Sequence, residues 1–102
     1  MERTLNRDIG KKCRRFTLST TSKVDPAGVF STTENTEVVI WADCAFVYSI
    51  GDAPSVTLPT EATSGDVVWP ANVPARIGIP AGQRIAAAAV TGTGNIVIMP
   101  GV

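Results

Sequence analysis

The chain has 102 residues, 44% of them hydrophobic and 18% charged, with nine glycines, seven prolines, two cysteines and no histidine. That length holds one domain, and the apolar share is that of a chain that folds rather than stays disordered. No run approaches the roughly 18 apolar residues of a membrane span, and the charged start MERTLNRDIGKK lacks the apolar stretch of a secretory signal. The chain is therefore expected to be made in a cytoplasm and to stay out of membranes.

Formal net charge is zero, but the charges are unevenly placed. Residues 1–23 carry seven of the nine basic groups (Arg3, Arg7, Lys11, Lys12, Arg14, Arg15, Lys23) against Glu2 and Asp8, a net +5. Residues 24–102 carry Arg76 and Arg84 against seven acids, a net −5. This asymmetry divides the chain into a basic N-terminal arm, residues 1–23, and an acidic body, residues 24–102. Within the arm Leu5, Ile9 and Cys13 fall four apart, as do Arg3, Arg7, Lys11 and Arg15, a spacing that puts apolar and basic stripes on different sides of a helix. Gly10 interrupts it, and an isolated helix this short is marginal in water. The arm is expected to order only against a partner, with Arg3, Leu5, Arg7, Ile9, Lys11, Lys12, Arg14, Arg15 and Phe16 as its contact residues.

Further along, Val, Ile and Ala dominate the apolar residues and favour sheet over helix. The stretch FTLSTTS (16–22) alternates like a short strand, and Asp25-Pro26-Ala27-Gly28 reads as a turn. TEVVIWA (36–42) and CAFVYSI (44–50) are apolar on both faces and are expected to be central strands, with Trp41, Phe46 and Tyr48 in the core. SVTLP (55–59) alternates Val56 with Leu58, EATSGD (61–66) is a loop, and VVW (67–69) is a short strand ending at Trp69 beside Pro70. That position makes Trp69 the best candidate among the aromatics for an exposed contact, with core or subunit interface as the favoured expectation even there. VPARIGI (73–79), QRIAAAAV (83–90) and IVIM (96–99) are separated by Pro80-Ala81-Gly82 and by Thr91-Gly92-Thr93-Gly94-Asn95, the pattern of a three-stranded meander. The predicted fold is all-β: a sandwich or jelly-roll-like barrel of about seven to eight short antiparallel strands. So small a body buries a modest share of its surface, which favours self-association into a homo-oligomer, with a trimer as one form.

The chemistry of catalysis is missing. Without histidine there is no Ser-His or Cys-His nucleophile and the commonest metal ligand is absent. The acids stand singly in turns, where solvated or capping roles fit better than a carboxylate dyad. The Gly motifs at 80–82 and 92–94 lack the helix and lysine of a phosphate site. Cys13 and Cys44 are expected to be two reduced thiols, Cys44 as a small buried hydrophobe. The sequence thus points to a protein that is not an enzyme and holds neither metal nor cofactor.

Residues 38–102 resemble a family of small structural proteins of tailed bacteriophages. The likeness is carried by Tyr48-Ser49-Ile50-Gly51-Asp52 with Pro54, by Pro70-Ala71-Asn72-Val73-Pro74, by Ile79-Pro80-Ala81-Gly82-Gln83-Arg84-Ile85-Ala86, and by Thr91-Gly92-Thr93-Gly94. The resemblance implies a β-sandwich made in a bacterial cytoplasm and carried on the virion, as a capsid decoration (cement) protein or as a neck, collar or tail accessory. Its partners would be the major capsid protein or other virion structural proteins. The arm lies outside the resemblance, and charge alone assigns it to docking on an acidic protein surface. The alternative is nucleic-acid binding through the same cations, which the acidic body disfavours. A third reading, carbohydrate or receptor binding through loops 51–75, has Trp69 in its favour.

Overall fold

The computed structural model describes residues 13–100. Among them there is no helix, and therefore none long and apolar enough to cross a membrane. Eight strands run in chain order: β1 (Arg14–Leu18), β2 (Lys23–Val24), β3 (Thr36–Ala42), β4 (Phe46–Gly51), β5 (Val68–Trp69), β6 (Ala75–Ile79), β7 (Arg84–Ala89) and β8 (Gly94–Pro100). They form two four-stranded antiparallel sheets, which we call sheet A, ordered β1-β8-β3-β6, and sheet B, ordered β2-β7-β4-β5. The all-β sandwich expected from composition and turn spacing is the observed fold.

Period-two alternation builds the core. Sheet A turns Phe16, Leu18, Val38, Ile40, Ala42, Ala75, Ile79, Ile96 and Ile98 inward, sheet B turns Phe46, Ile85, Ala87 and Ala89 to meet them, and all thirteen are buried in one cluster. Large and small side chains interlock across β4 and β7, where Phe46 stands opposite Ala89 and Tyr48 opposite Ala87. The alanine run is thus strand, as expected, and its small residues leave room for neighbouring aromatics. Tyr48, expected in the core, lies at its margin and is partly buried.

Three expectations are corrected. The last three strands do not form a meander: β6 and β8 belong to sheet A and β7 to sheet B. Every connection except β4 to β5 crosses between the sheets, so Pro80-Ala81-Gly82 reverses the chain across the sandwich instead of within a ladder. Gly82 has φ +80° there, and its N–H donates to Ser31 O at 2.7 Å, which ties this corner to the 25–35 loop. Secondly, residues 55–59 join no ladder. They lie over the outer face of sheet B, where Val56 packs with Val47, Ala86 and Ala88 and brings Leu58 alongside. Thirdly, the body starts earlier than charge suggested: β1 is an edge strand of sheet A and β2 an edge strand of sheet B. Phe16 and Leu18 are spaced by two so that both enter the core.

Candidate interaction surface

The sixteen residues between β4 and β5 are organised as a pinched finger. Thr57 N–H donates to Asp66 Oδ2 at 2.8 Å and Asp66 N–H returns to Thr57 O at 2.8 Å. Nearer the tip Thr60 N–H donates to Thr63 O at 2.9 Å, while Thr60 Oγ1 accepts from Ala62 and Thr63. A side chain at Gly65 would strike the backbone of Thr57, Leu58 and Pro59, so glycine is what lets the two limbs close. The base of the finger is anchored by Val56 N–H donating to Ser22 Oγ at 3.1 Å. Sheet B is thereby closed on its outer side by its own chain.

Sheet A is different. Val39 and Trp41 on β3 point away from the core, as do Val97 and Met99 on β8, because their sequence neighbours Val38, Ile40, Ile96 and Ile98 point into it. In the ladder Val39 is the partner of Met99 and Trp41 of Val97, so the four side chains form a contiguous block across the two central strands. All four are partly exposed, and none joins either apolar cluster. On one flank exposed Arg15 of β1 stands beside Val97. On the other, Arg76 of β6 stands beside Val39 and pairs with Glu37 at 3.4 Å, both groups about half exposed.

The two tryptophans are both partly buried but face different ways. Trp41, read as core from its apolar strand, lies on the outer face of sheet A. Trp69, expected in the core or a subunit interface and the best of the aromatics for an exposed contact, packs against the inter-sheet core and donates its indole N–H to Val73 O at 2.6 Å. Its neighbours Val67, Val68 and Val73 are the exposed ones. No signal in β3 alone distinguishes an apolar face that the chain covers from one that it leaves open.

Of the nine residues assigned to the arm, Arg3, Leu5, Arg7, Ile9, Lys11 and Lys12 lie outside the described residues. The other three belong to the body. Phe16 is buried in the core at 7% exposure. Arg14 is committed internally: it pairs with Asp25 Oδ2 at 3.0 Å, donates to Gly28 O at 2.8 Å and Val29 O at 3.3 Å, and stacks 3.8 Å over the Phe30 ring. Asp25, the one buried charged residue of the described part, also caps Ala27 N–H at 2.9 Å. Arg15 alone of the three faces solvent.

Comparison with protein-family models, curated proteins and solved structures finds no match to this chain. Moving Arg14, Arg15 and Lys23 into the body leaves four bases against two acids in residues 1–13, a net +2.

The remaining chemistry is sparse. The two cysteines are free, Cys13 exposed and Cys44 partly buried. Burial, and secondarily the neighbouring Asp43 carboxylate, pushes the Cys44 thiol pKa up, which makes it a poor nucleophile. A depression of about 360 Å³ between the ends of β1 and β8 is lined by Thr17, Ser19, Lys23, Thr93 and Asn95. Lys23 Nζ donates to Thr17 Oγ1 there at 3.3 Å, and no carboxylate is present to act as a base. Among the described residues no three acids or cysteines converge on a metal position.

Proposed function

We propose that this chain is a structural docking protein of a tailed-phage particle, acting as a capsid decoration protein without catalytic activity. The observation that carries the reading is the unlike treatment of the two outer faces. One is sealed by residues 55–59, while the other presents Val39, Trp41, Val97 and Met99 between charged flanks. An apolar centre with a polar rim is the anatomy of a protein-protein contact, and a rigid sheet face holds it in shape. β1, an edge strand of sheet A, puts exposed Arg15 beside this face, and the contact is made with the major capsid protein. A flat apolar patch of this kind suits a protein partner better than it suits DNA, whose recognition needs a dense array of cations.

The test uses heads assembled without the protein. Added wild type should bind heads and co-sediment with them, and a full-length Val97→Glu variant should fold normally and fail to bind. Binding to isolated tails or necks but not to heads would replace decoration by the accessory role. Equal binding of Val97→Glu and wild type would overturn the assignment of the face.

A further inference from the structure

The two long sides of the sandwich end differently. On the β1 side main-chain bonds tie the sheets together: Asp25 N–H donates to Ile85 O at 2.8 Å and Ala89 N–H to Ser19 O at 2.7 Å. The opposite side of sheet A ends on β6, which pairs with β3 alone among the described strands. We propose that this edge receives a second copy of the chain. β6 pairs antiparallel with β6 of its partner across a two-fold axis at Ile77, and the two copies of sheet A join into one continuous sheet.

The direction of the main-chain groups defines the edge. Asn72 N–H donates to Ala42 O at 2.7 Å, on the β6 side, and Asp43 N–H donates to Asn95 O at 3.2 Å, on the β8 side. Even-numbered residues of β3 therefore turn N–H and C=O towards β6. Through the register Ile40↔Ala75 and Val38↔Ile77, Ala75, Ile77 and Ile79 answer them, while Arg76 and Gly78 turn their main-chain groups the other way. The next positions of that parity are Pro74 and Pro80, which have no N–H. The prolines thus close any added ladder at both ends. Pairing centred on Ile77 sets Arg76 opposite the partner's Gly78, and each such pair exchanges both of its bonds. Centring on Arg76 would oppose two like charges, and centring on Gly78 would set Arg76 against a proline.

Gly78 supplies an independent observation. Glycine weakens the interior of a strand and often marks a place where another backbone comes close. Nothing within its own chain calls for it, since its φ lies outside the left-handed region and an added Cβ would meet nothing within 4 Å. In its ladder row Gly78 stands between Glu37 of β3 and the edge. The partner's Arg76 takes the next place in that row, about two strand spacings or roughly 10 Å from Glu37, and its long side chain reaches the carboxylate across the bare glycine. Glu37 also pairs with Arg76 of its own chain at 3.4 Å, and main-chain pairing leaves that contact in place. On the inner side Ile77, partly buried at the core margin, meets the same residue of the second copy.

A single pair of short strands is a small interface, so the dimer is reversible. Its axis stands perpendicular to the sheet, and the outer faces of both sheet A copies look the same way. The pairing does not depend on the proposed function, but it would double that contact, with the two Val39 positions about 14 Å apart. Two linked weak contacts hold more firmly than one.

The experiment follows the full chain by sedimentation equilibrium from about 10 µM to about 1 mM, where a small interface assembles. Wild type is expected to dimerise within that range. Gly78→Pro removes an outward N–H and no bond to β3, so it should keep its β-sheet circular dichroism and sediment as a monomer. Arg76→Glu and Glu37→Arg each set like charges across the axis and should weaken association about tenfold. An equimolar mixture of the two should recover it, because each chain finds the opposite sign only in the other, and the mixture decides if Gly78→Pro fails to fold. Wild type that stays monomeric at about 1 mM would overturn the proposal, as would a dimer that survives Gly78→Pro or a mixture no tighter than its components. Loss of head binding in Gly78→Pro, with wild type itself monomeric, would give the edge to a strand of the particle instead. A dimer that binds no heads would overturn the proposed function and leave this inference standing.

Discussion

Sheet B turns Val47, Ala86 and Ala88 away from the core and the chain buries all three beneath Val56, whereas sheet A turns Val39, Trp41, Val97 and Met99 outward and leaves each partly open to solvent. Both faces are apolar at their centres. The difference lies in the connections: the one long loop that stays with its own sheet, between β4 and β5, is also the one that lies across it. Burial on both sides makes β4 and β7 the structural spine, and burial on one side makes β3 and β8 both spine and contact surface. Apolar strand composition therefore reports that a face needs a partner, and connectivity decides whether that partner is internal.

The sharpest way to break this comparison is to place one charge on each face. Ala88→Asp, on the sealed face, puts a carboxylate where neither water nor a cation is at hand and should cost several kcal/mol, about 4 or more, enough to leave the domain largely unfolded by circular dichroism. Val97→Asp, on the open face, should change stability by less than about 1 kcal/mol. Equal losses at the two sites would remove the distinction.

Next in size is the ion pair that ties β1 to the 25–30 loop. Asp25→Ala takes the carboxylate from Arg14 and from Ala27 N–H, and should lower stability by about 3 kcal/mol in urea titration. An unchanged midpoint would mean that Arg14 is held by Gly28, Val29 and Phe30 alone. Gly65→Ala should follow, at about 1–3 kcal/mol, because its methyl group runs into the Thr57 to Pro59 backbone and forces the finger open. Its hydrogen exchange should quicken at Thr57 and Asp66 while sheet A amides stay protected, and uniform acceleration in both sheets would count against a separable cover.

The smallest effect is chemical. Because burial and Asp43 raise the Cys44 pKa, less thiolate is present at any given mildly alkaline pH, and iodoacetamide should label exposed Cys13 well before Cys44. Peptide mapping of partially labelled protein reads the order directly. Labelling of Cys44 first would show that the 43–45 corner opens readily.

Much of the fold is legible from residues spaced by two. Ile40, Ile79, Ile85 and Ile98 are buried as their parity predicts, and each strand from β3 onward lies within two residues of its expected bounds. The failures share a physical cause, which is that local pattern carries no information about the layer that a segment joins. Pro80-Ala81-Gly82 signals reversal whether the chain returns to the same sheet or crosses the core. Val56 and Leu58 alternate because an extended segment lying on an apolar face also presents every second side chain, with no ladder required. Arg14 and Arg15 carry the charge of an arm and the parity of a strand: Phe16 and Leu18 give the strand signal, and Asp25 is the partner of Arg14. Trp41 is legible as a strand residue but not as outward, since β3 is apolar on both faces and which one turns inward is set by the sheet it joins with β6 and β8, far along the chain.

The place of β8 in sheet A has a consequence for how the protein is made. It is the last of the described strands to leave the ribosome, yet it lies between β1 and β3 and is the only strand that β1 pairs with. When Ala89 has been added, all four strands of sheet B exist, but sheet A consists of the β3-β6 pair with β1 unattached. The nascent chain at that stage exposes Ile40, Phe46 and Ile85 on an unfinished inner surface. Folding must therefore wait for residues 94–100 and then proceed by closing contacts between the two ends of the sequence, the slow class of pairing. Ribosome-stalled chains should be digested by protease up to the point where Ile98 emerges.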